Sequence, residues 1–93
     1  MSASVDAATK PVISPGFRLQ WEPAQDAHVL LYPEGMVKLN GSAGEILRRC
    51  DGERSLAEIV ADLERTYGAT DLSKDVTSFV SWALEKKWLE IRA

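Results

Sequence analysis

Ninety-three residues make one small domain, and at that size folding buries roughly 60–65% of the unfolded chain's surface, enough for one thin core but no deep second cavity. Hydrophobic residues at 45%, charged residues at 27% and a net charge of −3 describe an ordinary globular domain with no general attraction for polyanions. A single cysteine, Cys50, excludes an internal disulfide and fits a reducing compartment; no apolar run approaches the length of a membrane span and the N-terminus lacks a signal-peptide core, so a cytoplasmic protein is expected.

Residues 1–15, with Pro11 and Pro15 and no sustained apolar period, read as a flexible N-terminal tail. Pro11-Val12-Ile13-Ser14-Pro15 has one other use, lying extended against a neighbouring subunit, since its prolines bar it from a central strand. Residues 16–93 then form a single domain. Phe17–Trp21 alternates apolar and polar residues, the period of a half-buried strand, and Pro23 stops it. His28–Tyr32 is apolar on both faces and is expected at the centre of a sheet. Pro33-Glu34-Gly35 is good turn chemistry, and Met36–Leu39 returns as a third strand with Met36 and Lys38 on one face, Val37 and Leu39 on the other. The three strands predict an antiparallel meander.

Asn40 caps a helix expected to reach about Arg49, with Ser42 and Glu45 as a capping box if it starts later. Ala43, Ile46, Leu47 and Cys50 form one apolar stripe, which makes Cys50 a small buried hydrophobe, and Asp51-Gly52 ends the helix. Ser55 and Glu58 give a clearer capping box for a second helix carrying Leu56, Ile59, Val60 and Leu63 on one side and closing at Tyr67-Gly68. A third helix begins near Asp71 or Ser73 and buries Val76, Phe79, Val80, Ala83 and Leu84. Lys86 and Lys87 suit its C-terminal dipole, and Trp88–Ile91 is a short last strand or a tail on the core. The order β-β-β-α-α-α predicts an α+β, winged-helix-turn-helix-like fold: a three-stranded antiparallel sheet followed by a three-helix bundle.

The residues of an enzyme are missing. His28, the only histidine, falls inside an apolar strand and reads as structural; no Cys/His cluster has metal-ligand spacing, and Gly41-x-x-Gly44 lacks the rest of any nucleotide fingerprint. No catalytic residue, cofactor or metal is expected. DNA binding is the alternative that the fold class invites. However, residues 71–93 carry four acids against four bases and residues 40–70 six against four, so no basic face for phosphates can be assembled. Peptide binding fits better. Met36–Leu39 is expected at the sheet edge, where an extended peptide adds as another strand, and Trp82 lies on a helix flank with Asp75, Phe79 and Lys86, as a cap of the core or a partly exposed anchor.

Arg18-Leu19-Gln20-Trp21-Glu22, Val29-Leu30-Leu31-Tyr32-Pro33-Glu34-Gly35, Leu39-Asn40-x-x-Ala43-x-x-Ile46-Leu47, Cys50-Asp51-Gly52-Glu53-Arg54 and Asp75-Val76-x-x-Phe79 follow one another in this chain. In that order and spacing they resemble the pyrroloquinoline quinone (PQQ) biosynthesis protein D family over about Phe17 to Ile91. The resemblance implies a non-catalytic peptide chaperone without cofactor, of the precursor-peptide recognition element type. Such a protein binds the leader of the PQQ precursor peptide and presents it to a radical S-adenosylmethionine enzyme that joins a glutamate and a tyrosine side chain. Carried over by position, the leader docks as a strand along Met36, Val37, Lys38 and Leu39, facing Asp75, Phe79, Trp82 and Lys86. The sequence departs from the family where a glycine commonly precedes Trp-Leu/Ile: here Lys87 stands there, and a different closure of the third helix is expected. No membrane or nucleic-acid partner is implied. The chain is expected as a monomer or as a homodimer that exchanges the N-terminal hairpin about Leu39-Asn40-Gly41.

Overall fold

The computed structural model describes residues 5–92. Its strands are β1 (Pro11–Ile13), β2 (Arg18–Glu22), β3 (Ala27–Tyr32), β4 (Gly35–Lys38) and β5 (Leu89–Ile91), and its helices α1 (Gly41–Leu47), α2 (Leu56–Tyr67) and α3 (Ser73–Glu85). β2, β3 and β4 form the expected antiparallel meander in that order, with Leu19, Leu30 and Val37 in register across it. Leu30 is fully buried and packs with the helix stripes, so β3 is central because both its neighbours and the helices cover it. The result is an α+β domain in which α1 packs on β3, α2 on α1 and α3, and α3 on β5.

α1 is shorter than its apolar stripe suggested. Asn40 Oδ1 accepts from the Ala43 N–H at 2.8 Å, and the helix ends at Leu47, with Arg48 already at the C-cap. The Ser42–Glu45 box does not form, because Ser42 Oγ donates to Asn40 Oδ1 and Glu45 is taken by Arg49. Arg49, only 4% exposed, donates to the Glu45 carboxylate and backbone, to Asp62 and to Thr66, and so ties α1 to α2. Its guanidinium holds both carboxyls below the ordinary range: in each case its own hydrogen bond is the leading cause, and Arg65 adds to the effect at Asp62. Cys50 is buried as expected: desolvation pushes its thiol up to about 12, and Sγ donates to the Ile46 carbonyl. Gly44 brings α1 against β3, since a Cβ there would stand 2.7 Å from His28 Nδ1. His28 is thus part of the helix–sheet seam, stacked edgewise on Trp21 at 5.0 Å.

α2 opens with the predicted Ser55–Glu58 capping box and closes at Gly68, whose φ of 61° is the left-handed conformation. α3 starts without a side-chain cap of its own; instead Glu64 accepts from the Leu72 N–H at 3.0 Å. Its other end corrects the expectation about Lys87. That residue itself adopts φ 67°, its N–H bonds to Leu84 O at 3.1 Å, and the Trp88 N–H bonds to Ala83 O at 3.0 Å. These are the two bonds of a Schellman closure, made by a lysine in the conformation glycine favours.

The largest departure from the sequence reading is at the N-terminus. Pro11–Ile13, assigned there to a tail or a neighbouring subunit, pairs antiparallel with β5 of the same chain, Pro11 opposite Ile91 and Ile13 opposite Leu89. Pro11 is fully buried, and the carbonyls of Thr9 and Ala7 accept from the Leu56 and Ala57 N–H groups, two first-turn donors that α2 cannot satisfy internally. Prolines do not prevent this, because β1 is a three-residue strand at the edge of a two-stranded sheet. Asp51-Gly52 serves this junction and does not stop α1: Val12 bridges to Asp51, Gly52 N–H donates to Pro11 O, and a Cβ on Gly52 would meet Arg92 Cδ at 2.8 Å. Of the tail, Met1–Ser4 lie outside the described residues.

Candidate functional site

β4 is an edge strand among the described residues, and its register decides which backbone groups it leaves free. The Leu39 N–H bonds to His28 O, so in an antiparallel ladder Val37 and Gly35 likewise turn their N–H and C=O toward Leu30 and Tyr32. Met36 and Lys38 alternate with them and turn both groups outward. Their side chains lie on the outer face, Met36 56% exposed, whereas Val37 is half-buried against the core and Leu39 is buried. A four-residue strand therefore offers two outward amides and two outward carbonyls.

Two residues past β4, at Asn40, a groove of about 470 Å³ opens between the start of α1, the end of α2 and the first half of α3. Asn40, Ala43, Tyr67, Leu72, Asp75 and Phe79 are among its lining residues. α3 borders two surface hollows. Its start shares the groove with Asn40, and its end, at Leu84 and Lys87, shares a surface hollow with Phe17, which stacks on Tyr32, the partner of Gly35. Asp75, Phe79, Trp82 and Lys86 recur at helical spacing along one face of α3. Phe79 and Trp82 have ring centroids 5.9 Å apart, Trp82 meets Trp88 edge-on at 4.8 Å, and Lys86 Nζ stands 5.6 Å from the Trp82 ring. Trp82 is 44% exposed, so it both leans on the core aromatics and presents a face to solvent.

Of the eight residues singled out by sequence, Asp75 and Phe79 line the groove itself. Met36, Val37, Lys38 and Leu39 form the strand leading to its mouth, and Trp82 and Lys86 continue the α3 face beyond Phe79. Tyr67 and Leu72 were missed. The signal for Tyr67 was present, because it extends the Leu56–Val60–Leu63 stripe one turn past what the core uses and remains 56% exposed. Leu72 had none, lying in the irregular link before α3. Among the described residues, no three His, Cys, Asp or Glu side chains gather as a metal site, and no helix is long and apolar enough to cross a membrane. The arrangement offers backbone hydrogen bonds, an apolar trough and an aromatic shelf, the parts of a binding surface.

Residues 27–89 match the family profile described as coenzyme PQQ synthesis protein D (PqqD). The chain is 54% identical over 82 residues to the PqqA binding protein of Azotobacter vinelandii, covering 87% of this chain and 89% of that one. It is 51% identical over 83 residues to the PqqA binding protein of Stutzerimonas stutzeri, covering 88% and 90%. Among solved structures it resembles the solution structure of the PqqD truncation of Methylobacterium extorquens PqqCD, described as a functional, stand-alone recognition element for ribosomally synthesized and post-translationally modified peptides. That likeness has a TM-score of 0.75 at 27% identity, over 94% of this chain and 95% of that one. With matched residues that span β3 to the start of β5, the chain belongs to the PqqD family of coenzyme PQQ synthesis proteins.

Proposed function

We propose that this chain is the peptide chaperone of PQQ biosynthesis: it binds the leader of the precursor peptide as a strand added to β4 and presents it to a radical S-adenosylmethionine enzyme. The observation that carries this reading is the pairing of outward backbone groups at Met36 and Lys38 with a groove walled by Phe79. Main-chain bonds give an added strand affinity, and the trough beside it receives alternate side chains, the usual division of labour in strand addition. A disordered leader loses conformational freedom on docking, so binding is expected to be moderate and release easy. Held beside the enzyme, the peptide is at a high effective concentration without any catalytic group on this chain. The DNA-binding alternative finds no support in α3, whose exposed Asp75 and Glu85 offset Lys74 and Lys86.

Titrating isotope-labelled protein with the precursor peptide tests the proposal. The Met36 and Lys38 amides and the Phe79 and Trp82 resonances should shift together. Binding that leaves these signals in place would remove β4 as the docking site.

A further inference from the structure

The groove has an asymmetry that strand addition alone does not use. At its Asn40 end the lining is mostly apolar or neutral, with one carboxylate, Asp75, at the rim. An acid in the first turn of a helix has an ordinary role, to favour the N-terminal dipole. Asp75 stands in that turn, where this role leaves its carboxylate free of any hydrogen bond. The Leu72 N–H is taken by Glu64, and Asp75 has no ion pair and no side-chain hydrogen bond among the described residues. Several carboxylates around the helix junctions are engaged, Glu45 and Asp62 with Arg49, Asp51 with the Glu53 and Arg54 N–H groups, and Glu58 with Ser55, while Asp71 faces solvent outside the groove lining. Asp75 is the carboxylate that lines the groove, at the edge of an apolar trough where low-dielectric walls focus its field. At the other end of the same α3 face stands a cation, Lys86, against the Trp82 ring.

We infer that the Asn40 end of the groove selects the leader by one pair of neighbouring residues: a large apolar side chain that enters the trough between Ala43, Tyr67, Leu72 and Phe79, and a lysine or arginine beside it that pairs with Asp75. This rests on the peptide-binding function proposed above and adds a chemical class to it. The two members do different work. Burying the apolar side chain supplies most of the affinity, while an ion pair at a rim contributes little to affinity and much to discrimination, because the wrong charge there is repelled. With Asp75 at one end of the α3 face and Lys86 at the other, a leader whose basic residue sits at the Asn40 end also has only one favourable direction along β4.

Affinities of the synthetic precursor leader are measured for the wild type and for Asp75→Lys, with circular dichroism as the check on folding. A panel of leaders in which each Lys or Arg is changed singly to Glu completes the set. One Glu-substituted leader, altered next to a large apolar residue, should bind the wild type about tenfold more weakly. Asp75→Lys should weaken the native leader to a similar degree, and the two changes together should restore affinity to within about threefold. A folded Asp75→Lys protein that binds the native leader within about twofold of wild type, with Met36 and Lys38 amides still shifting, would overturn the selection by Asp75 and leave docking on β4 intact. Absence of any leader binding to the wild type would overturn both.

Discussion

The three-stranded sheet has two edges, and comparing them separates what a free strand provides from what a docking site requires. β2 and β4 both leave alternate residues facing outward: Leu19 and Trp21 on one edge, Met36 and Lys38 on the other. Two half-exposed tryptophans can be set side by side, Trp21 on β2 at 48% and Trp82 on α3 at 44%. The backbone is thus nearly equivalent on the two sides, but the surroundings are not. Trp21 belongs to the edge strand itself and leans back on His28, its own ladder partner, while Arg18, Gln20 and Glu22 place charged and polar groups along the strand. Such side chains are the common means of keeping an edge from pairing. Trp82 belongs to another element, is braced by Phe79 and Trp88, and continues the wall of the trough. The apolar trough opens past the end of β4, whereas the hollow at the start of β2 is bordered by Arg18, Tyr32 and Pro33.

The sharpest way to break this comparison is to truncate both tryptophans. Trp82→Ala is expected to weaken leader binding by about thirtyfold, the scale of an interface anchor, whereas Trp21→Ala should leave it within about twofold. Equal losses, measured by fluorescence anisotropy of a labelled leader, would show that the two edges do not differ. Next in size is Lys38→Pro, which deletes an outward N–H while Val37 and Leu39 keep the ladder to β3. A loss of about tenfold in affinity with the fold retained is expected, since one or two main-chain bonds are worth about 0.5–1.5 kcal/mol each. The smallest effect lies away from both edges. Lys87→Gly relieves a left-handed residue at the end of α3 and should raise unfolding stability by about 1 kcal/mol in chemical denaturation while leaving leader affinity unchanged.

The sequence made the meander legible because Phe17–Trp21 and His28–Tyr32 carry different apolar periods, one face against two, and a strand apolar on both faces belongs in the middle. The helix positions followed from Asn40, Ser55 and Gly68, whose caps are local chemistry. What could not be read is non-local. The Pro11–Ile13 strand has no period of its own and exists because β5, some eighty positions later, meets it. Arg49 was read only as the end of the first helix, and the approach of α2 gives it Asp62 and Thr66. The groove was half legible for the same reason: Asp75 and Phe79 share a helical face that spacing reveals, whereas Tyr67 and Leu72 join them only when the end of α2 folds back beside α3.

The pairing of β1 with β5 brings residues some eighty positions apart side by side, with the Arg92 N–H on the Lys10 carbonyl at 2.9 Å. Closing a loop of that length costs about 4 kcal/mol of chain entropy beyond the constant term, so this seam is expected to form late in folding and to open first. Because the seam also fixes Trp88, the brace of Trp82, the aromatic shelf becomes complete only after β1 and β5 are in place. A disturbance at this seam would therefore reach Trp82 through Trp88, although the two lie on different elements.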